Sequence, residues 1–171
     1  MKKSVAYFII SIVLISTAGF SQLKAQSEII PWIPLSEDAQ SDIVKRNKTI
    51  ITTSEINFPV YPGAYLTSYY PVSKSSEIDS LELPLPAIFL VTSDDIEKVK
   101  QFYKHLLRES DGWVSQEDYS VFVKGTLSQA FARTAPGVAI REETGESYDL
   151  KGADPKIISA LKTRIKILYM P

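Results

Sequence analysis

The sequence predicts an α+β domain, a mostly antiparallel sheet covered on one face by one main amphipathic helix. Three observations lead there. Segments alternating with a period of two outnumber those with a helical period. The clearest helical stripe, near residues 94–108, lies between apparent sheet elements. Regular strand–helix repeats and a glycine-rich phosphate loop, which would favour the competing alternating βα fold, are both absent.

The elements follow in chain order. Residues 26–57 form a lead-in in which Pro31 and Pro34 interrupt regular structure around Trp32, a ring expected to fold back onto the main core. A weak helical stripe runs from Ser36 through Ala39, Ile43 and Val44, and Thr49–Thr53 returns to β-prone residues. The organised domain spans 58–171 and opens on Phe58-Pro59-Val60-Tyr61-Pro62-Gly63-Ala64. Proline fixes φ and glycine accepts left-handed angles, so this segment is a rigid turn. Tyr65–Val72 alternates as a strand, with Tyr65 and Tyr69 expected on one face and Tyr70 on the other. A polar loop, Ser73–Ser80, leads to Ala87–Val91, a short apolar run of central-strand type.

The main helix follows. Asp94 with Glu97 has the spacing of a capping box, with Ser93 and Asp95 as nearby alternatives for the N-cap. Ile96, Val99, Phe102, Tyr103, Leu106 and Leu107 fall on one arc, opposite Lys98, Gln101, His105 and Arg108. The helix stops before Gly112, and Trp113 opens a strand for which Tyr119–Lys124 is the hairpin neighbour, Val121 and Val123 facing one way. Thr126 with Gln129 is a second capping pair ahead of Leu127, Ala130 and Phe131. Val138–Arg141 is a short strand, and 142–153 an acidic loop. Asp154-Pro155 starts a helix with an N-cap and a first-turn proline. Ile165, Ile167 and Tyr169 alternate along the last strand.

Ahead of all this, Lys2 and Lys3 precede an apolar run interrupted by no charge, Val5–Phe20, and then a short polar stretch ending in small residues. That is the form of a cleavable secretory signal over 1–25. A cut after Ala25 is favoured over one after Ser21; the competing reading is an uncleaved inner-membrane anchor, for which the run is slightly short. Cleavage leaves 146 of 171 residues and lowers 19 basic side chains to 16 against 20 acidic, a formal charge of −4. Such a balance speaks against nucleic acid as a partner, and Lys45, Arg46 and Lys48, the densest basic cluster, read as a solvated face. The chain has no cysteine, so disulfides, thiolate chemistry and a thioether lipid anchor are excluded. The expected destination is the periplasm or the exterior.

Tyr61-Pro62-Gly63-Ala64, Val91-Thr92-Ser93-Asp94, Phe102-Tyr103, Gly112-Trp113 and the terminal Arg164–Pro171 together resemble a group of small bacterial exported proteins and lipoproteins of unknown function. The resemblance covers roughly 58–171. It implies architecture and location, without a catalytic residue or ligand, and the absence of cysteine limits it to the soluble members. Phe102 and Trp113 are expected in the core, and Tyr103 as a buried ring with its hydroxyl at a polar edge.

Chemistry is sparse. His105 is the only histidine, and it points with Lys98 and Gln101 away from the apolar arc; Glu109 is its one local partner. The pair is the nearest active-site choice for an alternative reading as a small periplasmic hydrolase. Glu142, Glu143, Glu146, Asp149 and Asp154 lack the alternating oxygen-ligand spacing of a calcium loop. No serine sits in a nucleophile elbow, and no cofactor motif is present. The better signal is aromatic: Tyr61, Tyr65 and Tyr69 are candidate contacts for a ligand, since tyrosine joins contact area to a hydrogen-bonding tip. Binding or assembly in the cell envelope is the favoured function, with an envelope protein, peptide or glycan as partner.

Overall fold

The two most regular apolar alternations of the chain become interior strands of its sheet. The computed structural model describes residues 28–36, 39, 50–71, 85–132, 134–147 and 150–171. The signal segment, the helical stripe beyond Ala39, the basic cluster at 45–48, Val72 and the loop 73–80 lie outside them. Among the described residues, eleven short elements follow one another: α1 (Thr53–Ile56), β1 (Tyr65–Tyr70), β2 (Ala87–Thr92), α2 (Ile96–Leu106), a 3₁₀ turn (Glu109–Asp111), β3 (Trp113–Ser115), β4 (Val121–Lys124), α3 (Leu127–Ala132), β5 (Gly137–Glu142), α4 (Pro155–Ile158) and β6 (Thr163–Leu168). The strands make one six-stranded sheet in the order β1-β2-β6-β5-β4-β3, antiparallel throughout. The fold is α+β, and the alternating βα alternative is overturned.

The sheet has two unlike faces because directly opposed residues of antiparallel strands point the same way. Leu90 pairs with Ile165 and Ile88 with Ile167, while Ile140 and Val138 meet the same two isoleucines from β5. This face carries α2. Val99 and Tyr103, fully buried, and Leu107 at the helix end face the same cluster. Burying each such side chain contributes on the order of 1.5–3 kcal/mol. Leu106, expected in the buried arc, is 46% exposed; the seam is Val99–Tyr103–Leu107, and no element covers the remaining last-turn residue among those described.

The Pro59–Gly63 turn is locked to α2 by rings. Tyr61 meets Phe102 edge-on at 5.1 Å, Phe58 meets Trp113 edge-on at 5.5 Å, and the Tyr103 hydroxyl donates to the Pro59 carbonyl at 3.3 Å. Gly63 has φ +73°, the left-handed angle the turn requires. The lead-in is tied on through Leu66, whose N–H donates to Pro31 and whose carbonyl accepts from Ile33. Ile30, Ile51 and Ile56 enter the main core, with Trp32 half-buried against it.

Two local expectations need correction. Asp94 does not cap α2 in a box with Glu97; the N-cap is Asp95. The Asp94 carboxylate is taken by the Tyr61 hydroxyl at 2.7 Å and the Lys98 ammonium at 2.9 Å, and Glu97 pairs with Lys100 at 3.0 Å. Tyr65 and Tyr69 do not share a face. Leu66 opposes Leu90 and Ser68 opposes Phe89, so Thr67 is an extra residue in β1 and the alternation inverts there. Tyr69 then sits opposite Ile88 on the helix-covered face, and Tyr65 opposite Val91 on the other.

Candidate functional site

Among the described residues, the second face of the sheet is only partly covered. At its β1–β2 end, Tyr65 and Val91 pack with Ile33, Leu150, Ala153 and Leu161, flanked by Ile157 and Ile158. Asp154 and Pro155 start α4 there as the sequence leads one to expect, the aspartate accepting from the Lys156 N–H at 2.9 Å. At the β4 end, α3 packs on its strand. The capping pair is formed, with Gln129 Oε1 accepting from the Thr126 N–H at 2.8 Å.

Between these covers lies a trough of about 570 Å³. Its floor follows from register alone. Phe89, Lys166, Ala139 and Val121 are successive cross-strand partners over β2, β6, β5 and β4, and the next row carries Arg164 directly opposite Arg141. All six line the cavity. The Arg164 guanidinium carbon stands 4.9 Å from the Phe89 ring centroid and the Lys166 Nζ 5.8 Å, so two cations share one aromatic ring. Ala130 and Ala135 form one wall and Ser147 part of the other.

The Ser147 wall is fixed from within. Glu143 is 8% exposed, and its carboxylate accepts from the Gly145 N–H and the Ser147 hydroxyl, both at 2.9 Å. This carboxylate of the acidic loop holds backbone in place. Among the described residues, no group of three or more histidine and carboxylate side chains is arranged to hold a metal ion.

The tyrosines singled out from sequence are not gathered on one surface. Tyr61 is buried, and burial followed by its hydrogen bond to Asp94 pushes its phenol up to about 12. The same hydrogen bond, then Lys98, holds the Asp94 carboxyl below its ordinary value. Tyr65 belongs to the second apolar cluster. Tyr69 packs on the main core beside Tyr169, whose own phenol is raised by burial and then by the Tyr69 hydroxyl. His105 and Glu109 are both exposed, and no hydrogen bond or ion pair joins their side chains among the described residues. The His105 carbonyl, not its imidazole, accepts from Arg108 Nε at 3.3 Å.

Sequence reasoning missed the trough. The available signal was the pair Arg164 and Lys166 alternating with Ile165 and Ile167 in the last strand, which marks a strand with one apolar face and one cationic face. No family model, curated protein or solved structure matches the chain.

Proposed function

We propose that this chain is an exported, non-catalytic binding protein of the bacterial cell envelope, and that its ligand occupies the trough on the sheet face opposite α2. The observation carrying this reading is the cavity itself, about 570 Å³ with a floor of Phe89, Ala139 and Val121 and a few convergent polar side chains. That volume falls in the usual range for small-molecule sites, roughly 300–1,000 Å³, and the mixture of apolar floor and few polar groups is the usual lining. Support also comes from rigidity. The floor is made by the four interior strands, and one wall is pinned by the Glu143 hydrogen bonds, so the site is largely formed before anything binds. Export rests on the N-terminal basic and apolar pattern, and the resemblance to small exported bacterial proteins agrees with it.

The test is recovery of the protein from its native compartment without denaturation, followed by native mass spectrometry. A retained small molecule, lost on Ala139→Trp substitution in the trough floor, is the expected result. A protein that leaves its compartment unliganded, and whose unfolding temperature no member of a broad metabolite library raises, would overturn the reading. Amino-terminal sequencing of the same material tests export: a start at Gln26 or Gln22 is expected, and an intact Met1 would refute cleavage.

A further inference from the structure

We infer that a line of aromatic rings through the main core carries a one-electron oxidation from Trp113 to Tyr61, whose phenol passes its proton to Asp94. This redox path is independent of the trough and of any ligand there. The first ground is continuity. Between ring centroids, Trp113 stands 5.5 Å from Phe58, Phe58 6.5 Å from Tyr103, Tyr103 5.0 Å from Phe102, and Phe102 5.1 Å from Tyr61. Electron tunnelling falls off exponentially with the gap to be crossed, and here each ring lies against the next. The line begins at Trp113, which is half-buried, and ends at Tyr61, which is buried.

The second ground is the proton. A phenol at neutral pH gives up an electron readily only when its proton leaves too, because the oxidised phenol is a very strong acid. The Tyr61 hydroxyl donates to one Asp94 carboxylate oxygen at 2.7 Å, a length typical of a hydrogen bond to a charged acceptor. The Lys98 ammonium holds the other oxygen at 2.9 Å, and the Asp94 side chain is 34% exposed, so a proton accepted there can go on to water. Tyr103, midway along the line, donates instead to the Pro59 carbonyl at 3.3 Å, a far weaker base. It acts with Phe58 and Phe102 as a bridge, and the oxidation comes to rest on Tyr61. Packing accounts for the rings; the carboxylate on the last hydroxyl is what makes that ring the oxidisable one.

The third ground is composition. Thiols and thioethers are common first targets of oxidants, and this chain has no cysteine and only Met1 and Met170. An oxidant of the one-electron radical class removes an electron from Trp113, and the indole N–H proton goes to water. The indolyl radical then regains an electron from Tyr61 and a proton from water, while the Tyr61 proton moves to Asp94 and on to water. The oxidant is reduced by one electron, Trp113 is restored, and Tyr61 is left as a neutral phenoxyl radical.

The experiment is pulse radiolysis of the protein, produced from its full coding chain, with azide radicals, which oxidise indole in preference to phenol. Decay of the indolyl absorption and growth of the phenoxyl absorption are followed together. Trp32 is the one other indole of the sequence, so the phase belonging to Trp113 is the part lost in Trp113→Phe. Its rate is expected to be independent of protein concentration. Tyr61→Phe, which keeps the ring stack, is expected to slow that phase at least about tenfold, and so is Asp94→Asn, which keeps the tyrosine and removes its base. Circular dichroism checks that each variant is folded, and slowing of the wild-type phase in deuterium oxide reads the same proton without any substitution. A Trp113 phase that keeps its wild-type rate in folded Tyr61→Phe or Asp94→Asn, or that is unaffected by deuterium oxide, would overturn the inference. So would a wild-type protein with no concentration-independent phase.

Discussion

Tyr103 is the side chain through which α2 enters the core, and truncating it tests the packing in a single step. It is fully buried, meets Phe102 edge-on at 5.0 Å and Phe58 at 6.5 Å, and donates to the Pro59 carbonyl at 3.3 Å. That oxygen–oxygen distance is long for a hydroxyl donor, so Tyr103→Phe should cost only about 0.5–1 kcal/mol, the low end for an intramolecular hydrogen bond. Tyr103→Ala removes the ring, both aromatic contacts and the filling between α2 and the Pro59–Gly63 turn. Aromatic-to-alanine changes in cores cost about 3–5 kcal/mol, a large share of the roughly 5–15 kcal/mol that holds a domain together. Urea denaturation of wild type and both variants, followed by far-ultraviolet circular dichroism, gives the two differences directly. Near-equal losses in the two variants, or a loss below about 1 kcal/mol for Tyr103→Ala, would refute the placement of this ring as the helix anchor.

Other perturbations bear on separate parts of the molecule. The neutral Tyr61 phenol is the form the fold favours, its pKa being raised from 10.0 to about 12. Its contribution is therefore complete below about pH 10 and is lost as pH rises through about 12. Denaturation midpoints over that window should fall more steeply for wild type than for Tyr61→Phe, and identical slopes would contradict the assignment. Asp94 works at the opposite end: its lowered pKa gives stability that is present above the ordinary value of 3.8 and lost as pH falls through the folded value, a loss that Asp94→Asn should abolish. Gly137→Ala would put a methyl carbon 2.6 Å from the Phe122 carbonyl oxygen, and should cost about 1–3 kcal/mol as β4 and β5 are forced apart; an unchanged midpoint would show that the strands adjust freely. His105→Ala should alter stability by no more than about 0.5 kcal/mol, as for exposed surface sites, and should leave any molecule retained in the trough in place. Lost binding in that variant would return attention to the helix surface.

What was legible in the sequence was local. Ile165 and Ile167 declare a strand by their own spacing, Asp154-Pro155 declares a helix start, and Thr126 with Gln129 declares a cap, because each signal is completed within a few residues. Asp94 failed as a cap for the complementary reason. The competitor for its carboxylate, Tyr61, arrives from a turn far back in the chain, and nothing near Asp94 announces it. Thr67 hid the inversion of β1, since a β-branched residue is as welcome in a bulge as in a regular strand. The trough was least legible of all. Arg141 and Arg164 come from separate strands, and only the register of β5 against β6 sets them side by side.

The extra residue in β1 has a consequence for how this protein behaves among copies of itself. An outer strand normally offers a straight row of vacant amide groups on which another chain can polymerise. Here the Leu66 amide and carbonyl are already occupied by Pro31 and Ile33, and the irregularity at Thr67 follows at once, so the flat stretch needed as a template is interrupted in its first half. The opposite margin, β3, is three residues long. Margins built this way give another chain little straight edge to pair with, and deletion of Thr67 would remove one of these interruptions while leaving most of the hydrophobic composition intact.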